Sequence, residues 1–158
     1  SYMKKIVILI LIIFIVPILY GCDKFINADK VGIKTCDKII NYLENGDNEG
    51  LKKMFCNKTL DNENIDEEIE DAIDFFNGKV KSYDVKILGS GESFRDGKRE
   101  YLSISPRIEN IVTDTNNQYK IEVYYYIVYR DDIDKEGISE ITIESETGEK
   151  CTIGQYIE

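Results

Sequence analysis

A chain of 158 residues with 20 basic and 30 acidic side chains has a net charge of −10, which argues against nucleic acid as a partner because neutralising phosphates takes clustered Lys and Arg. The absence of histidine removes Ser-His-Asp and Cys-His activation, the commonest general base and the commonest zinc ligand. The length suffices for one domain around a single core and is too short for two.

In chain order, the first feature is an apolar run from Ile6 to Leu19, preceded by Lys4 and Lys5, with Met3 read as the start and Ser1 and Tyr2 set aside. Fourteen apolar positions, interrupted by Pro17, fall short of the roughly 20 that a membrane-spanning helix needs and match the core of a leader. An uncut single-pass anchor is the competing reading. No pair of small residues offers an ordinary cleavage site, and the run ends instead in Leu19-Tyr20-Gly21-Cys22. This stretch resembles the lipobox of bacterial lipoproteins, with Tyr20 as a bulky departure from the small residue usual there. The resemblance implies a leader over residues 1–21, a diacylglyceryl thioether on Cys22, and partnership with a membrane through that lipid on the extracytoplasmic face. Two acyl chains hold a protein on lipid where one does not. Removing Lys4 and Lys5 with no acid leaves 18 basic against 30 acidic residues, a net of −12, so the lipid rather than surface charge does the anchoring.

Residues 22–32 read as the lipidated cysteine and a short tether. From Ile33, the apolar residues Ile33, Cys36, Ile39, Ile40 and Leu43 recur at helical spacing up to the Asn45-Gly46 stop. Asp47 caps a second, short helix with Leu51, Met54 and Phe55 on its apolar side, and residues 57–63 read as a loop. Asn64 and Glu67 form a capping pattern for a third helix bearing Ile65, Ile69, Ala72, Ile73 and Phe76.

After Gly78 the period changes from 3.6 to 2. Tyr83, Val85 and Ile87 alternate with polar residues, Asp96-Gly97 signals a tight hairpin, and Pro106 demands a bulge, an edge or an exit. The longest strand runs from Gln118 to Arg130. Strict alternation places Tyr119, Ile121, Val123, Tyr125, Ile127 and Tyr129 on one face, with Tyr124 and Tyr126 on the other. Strands at 138–145 and 151–157 complete an α+β domain over residues 33–158, with three helices packed on an antiparallel sheet.

The order of elements, opened by "YLENGDNEGLKKMF" at residues 42–55, is similar to the nuclear transport factor 2-like (cystatin-like) superfamily, and to its small lipoproteins from low-GC Gram-positive bacteria. That resemblance implies a curved sheet wrapped into a cone, an apolar pocket and dimerisation through the sheet.

Tyr119, Tyr125 and Tyr129 are the candidate pocket residues for a small apolar ligand, and Tyr124 and Tyr126 the candidate patch for a second copy or an envelope protein. Cross-strand packing is the plainer reading of the same tyrosines. Asp132, Asp134, Glu136 and Gly137 imitate the opening of a calcium loop, but the twelfth position is Ile143, so an acidic turn is preferred and no metal is assigned. With Cys22 lipidated, Cys36, Cys56 and Cys151 remain, at most one disulfide among them, and buried free thiols are expected. The reading is therefore a membrane-anchored, non-catalytic binding domain without cofactor. The alternatives are a pocket enzyme using an Asp/Tyr pair, and an envelope assembly protein acting through sheet-mediated dimers.

Overall fold

A computed structural model describes residues 25–158, so the apolar run, the Leu19–Cys22 motif and Cys22 itself lie outside the described residues. Helix α1 (Ala28–Asn45) begins five residues before Ile33, inside the stretch read as tether. The reason is Asn27, which takes an extended backbone and accepts from Lys30 N at 2.9 Å, while Val31 N reaches Asn27 O at 3.1 Å. Cys36, Ile39, Ile40 and Leu43 are buried as their spacing predicts, whereas Ile33 turns outward. Gly46, at φ 62°, stops the helix by donating to Leu43 O.

Helix α2 (Asn48–Lys52) starts where Asp47 accepts from Gly50 N at 2.8 Å. Residues 57–63, expected as a loop, contain one further helical turn, α3 (Asn57–Leu60). Thr59 ties that turn down, its hydroxyl donating to Ser139 O at 3.1 Å in a buried setting. Helix α4 (Ile65–Phe75) buries Ile65, Ile69 and Ala72. Its expected Asn64 cap does not form; Asn62 takes over, accepting from Asn64 N at 3.1 Å and donating to Glu68 at 3.0 Å. Among the described residues, the expected three helices are thus four.

Five strands follow: β1 (Val80–Arg95), β2 (Lys98–Thr113), β3 (Gln118–Tyr129), β4 (Gly137–Ser145) and β5 (Lys150–Gly154). They pair antiparallel in sequential order, and the helices lie on one face of the sheet, α1 over β1 and β2, α3 by β4 and α4 by β5. Asp96 and Gly97, both at positive φ (52° and 72°), make the two-residue turn between β1 and β2 whose twist matches the strands. Pro106 sits buried inside β2 opposite Ile87, and β1 carries an irregularity between Ile87 and Ser90 beside it.

The strands do not keep strict alternation. In β2 the inward residues are Leu102, Ile104 and Ile108, then Ile111 and Thr113. The change of parity falls at Asn110, an extra residue at φ 53° whose amide donates to Asp84 at 2.8 Å. Asn tolerates the left-handed region better than most residues, which is why a bulge can sit there. On the inner face Ile108 and Ile111 meet Ile121, Val123, Ile141, Ile143 and Ile153 in one core with the helices.

The outer face is polar and self-paired. Lys86, Glu109, Arg107, Glu122, Lys120, Glu144 and Lys150 form an unbroken series of alternating ion pairs across all five strands, with Arg107–Glu122 at 2.6 Å and Lys120–Glu144 at 3.2 Å. Single exposed pairs contribute little, and a network with shared partners contributes more. The cysteines at 36, 56 and 151 are free; Cys36 is fully buried, and burial pushes its thiol up to about 12.

The carboxyls of Glu109 and Glu144 are held below their ordinary range, Glu109 mainly by Lys86 and Glu144 mainly by Lys120 with Lys150. A lowered folded-state pKa means stabilisation that is present above the ordinary carboxylate value and lost as pH falls through the folded one. Urea denaturation from pH 7 to pH 3 should therefore show the midpoint dropping below about pH 4.5, and Glu144→Gln should flatten that acid limb. An acid limb unchanged in Glu144→Gln would show that the network contributes nothing.

Candidate functional site

The tyrosines of β3 regroup around a second bulge. Tyr125 pairs with Ile104 and Tyr126 with Ser103, but Val128 pairs with Leu102, so Ile127 is an extra residue and parity changes after it. Tyr129 consequently faces outward with Tyr126. It stacks on Tyr101 at 6.3 Å and meets Tyr126 edge-on at 5.0 Å, while Lys135 lies 4.5 Å over its ring. The expected inward alignment of Tyr129 is thus corrected by the bulge. Tyr119 is buried against Phe76, its hydroxyl donating to Phe75 O at 3.1 Å and accepting from Asn77 N at 3.0 Å, which makes it a clamp between α4 and the sheet. Tyr124 lies outward, edge-on to Tyr156 at 5.1 Å, and Tyr156 N donates to Glu140 at 2.8 Å, so the chain's own carboxyl-terminal segment packs beside it.

Of the five tyrosines, Tyr125 and Tyr126 line a cleft of about 470 Å3. This volume lies within the range of small-molecule sites. One wall is a stripe of α1, with Val31, Lys34, Thr35 and Lys38 at positions i, i+3, i+4 and i+7. The second is Lys53, Met54 and Phe55, just after α2, and the third is the end of β3 with Glu136, Gly137 and Ile138 leading into β4.

Close main-chain contact holds the second and third walls together. Cys56 N donates to Ile138 O at 2.9 Å and Ile138 N to Met54 O at 3.0 Å, so residues 54–56 bind the start of β4 like a fragment of parallel strand. A β-carbon at Gly137 would lie 2.8 Å from Cys56 N and 2.9 Å from its Cα, and the residue sits at φ 126°. Only glycine meets both conditions. The glycine that imitated a calcium loop thus has a packing role. Of the three acids beside it, Asp132 pairs with Lys58 at 2.8 Å, Asp134 accepts from Asn57 at 2.9 Å and Glu136 accepts from Tyr129 N at 2.9 Å.

The cleft is basic in an acidic protein. Lys34, Lys38 and Lys53 are exposed, and no ion pair among the described residues involves any of them. Lys30, Lys34 and Lys38 also succeed one another at i, i+4 spacing in α1, with Lys30 in its first turn. Like charges so spaced destabilise a helix by about 0.2–0.5 kcal/mol per pair, and a cation near the amino terminus opposes the helix dipole. Burial, followed by Glu136, raises the pKa of Tyr125, which stays a protonated donor at neutral pH. The sequence reading missed the lysines; the 30-34-38 spacing was the available signal, whereas Lys53 joins them only through the fold.

Helices packed on one face of a five-stranded antiparallel sheet, with a basic cleft where α1 meets the start of β4, define an α+β domain with a small-molecule-sized groove. The chain belongs to the family described as Domain of unknown function (DUF5104), which matches residues 38–148. That span includes Lys38, Lys53–Phe55 and the walls from β3 and β4. No curated protein matches the chain.

Three variants test this construction. Gly137→Ala should destabilise by about 2 kcal/mol or more, adding a main-chain clash to a strained φ, whereas Gly148→Ala, at φ 84° with nothing within 4 Å, should lose only about 1 kcal/mol. Tyr119→Phe should lose about 1–2 kcal/mol with its two hydrogen bonds. Urea denaturation measures all three; equal losses for the two glycine variants would contradict the close approach at Cys56.

Proposed function

We propose that this protein is a lipid-anchored, extracytoplasmic binding domain without catalytic activity, tethered to its membrane through Cys22. The observation that carries the binding half is the cleft. It joins apolar side chains (Met54, Phe55, Ile127, Ile138) to a few polar groups, the usual composition of a small-ligand site. The Leu19-Tyr20-Gly21-Cys22 stretch after a fourteen-residue apolar run supports the anchoring half.

The non-catalytic reading is supported by the state of the carboxylate in the cleft. An Asp/Tyr-type enzyme aims its acid at the substrate, whereas Glu136, the acid lining the cleft, is oriented by accepting from Tyr129 N at Oε1. The described buried polar side chains are Thr35, Thr59, Thr113 and Ser139, none of them an acid. A role in sheet-mediated dimers has less support, because the charges on the outer face already satisfy one another. In fold, we infer membership of the nuclear transport factor 2-like cones. The leading helices, the long antiparallel strands and the bend at Asn110 in β2 support that inference.

In cells producing Cys22→Ala, the protein should accumulate as an uncut precursor that keeps its apolar leader and carries no diacylglycerol. Mass spectrometry of the wild type should find diacylglycerol on a chain beginning at Cys22. Wild-type protein recovered with an uncut leader and a free Cys22 thiol would overturn the anchoring.

A further inference from the structure

We propose that the cleft takes an anionic amphiphile, a carboxylate or phosphate group joined to an apolar body. This rests on the binding reading above and names the class of ligand. Three observations converge on it. First, Lys34, Lys38 and Lys53 come from two separate segments onto one rim, and no acid among the described residues pairs with them, although the mature chain has 30 acids to choose from and pairs Lys52, Lys58, Lys86, Lys120 and Lys150 elsewhere. Second, the 30-34-38 spacing works against the helix that carries it, and an external anion relieves that repulsion. Third, Met54, Phe55 and Ile138 line the same cleft as the lysines, so a charged head and an apolar body are met together.

The arrangement favours a compact anion over a polyanion. Outside the cleft, the strongly acidic surface repels a long run of phosphates, so recognition is confined to the distance one head group spans. Tyr125 adds a neutral donor to the cations. Glu136 sets an opposing condition: its carboxylate repels an anion from the β4 side, which directs the head group toward α1 and Lys53.

The test uses the full chain in phosphatidylcholine nanodiscs, with empty nanodiscs as the blank, and saturation-transfer NMR with octanoate and octan-1-ol. Octanoate should bind about tenfold more tightly than octan-1-ol, and the preference should shrink in 0.5 M salt. Replacing Lys34, Lys38 and Lys53 together by Gln should abolish the preference, while Gln at the exposed Lys81 and Lys98 should leave it intact; all five side chains are exposed, so the variants should fold. Equal binding of the two probes, unaffected by the triple variant, would overturn the anion inference and leave the binding reading standing. No transfer to either probe beyond the blank would overturn both.

Discussion

Two amide-to-carbonyl hydrogen bonds, joining Met54 and Cys56 to Ile138, fix where the helical half of this protein meets its sheet. They form only because Gly137 leaves room for the backbone of Cys56. Everything that makes the cleft depends on that approach. It sets the depth at which Met54 and Phe55 lie, puts Lys53 on the same cleft as Lys34 and Lys38 of α1, and fixes the turn that carries Glu136 toward Tyr129 N. Thr59 repeats the link one helical turn later, bonding Ser139 O. The first residues of β4 thus hold the short helices from two sides.

The sheet contributes in a complementary way. Its inner face is a nearly continuous isoleucine surface, which gives the helices a rigid floor. Its outer face disposes of charge through internal pairing. Between these faces, the bulges at Asn110 and Ile127 decide which side chains point where. The bulge at Ile127 leaves Tyr125 inward beside the cleft and sends Tyr129 outward to Tyr101 and Tyr126. One aromatic strand therefore serves two surfaces.

What could be read from the sequence follows from the range of each interaction. The apolar faces of α1 and α4 and the Asp96-Gly97 turn are written in neighbouring residues, and they were legible. The start of α1 depends on Asn27 bonding Lys30 N, also a local signal, but the leader reading drew residues 22–32 into a tether. Turn α3 is stabilised by Thr59 reaching residue 139 and leaves no local pattern. A bulge is a property of two strands in register, so the sequence Tyr125-Tyr126-Ile127-Val128-Tyr129, apolar or aromatic throughout, gives no mark of where parity changes. Asn110 was a better clue, since asparagine is among the residues that accept positive φ. The cleft was least legible, because Lys38 and Lys53 meet only after the chain has turned at Gly46 and the segment after α2 has bound to β4.

The most direct measurement is photolabelling of the full chain with an octanoate bearing a diazirine on its alkyl chain, followed by peptide mapping. Adducts should fall on residues 31–38, 53–55 and 125–127, and excess octanoate should suppress them. Adducts confined to the outer surface around Tyr101, Tyr124 and Tyr156, or spread evenly over the chain, would contradict a binding cleft between α1 and the start of β4.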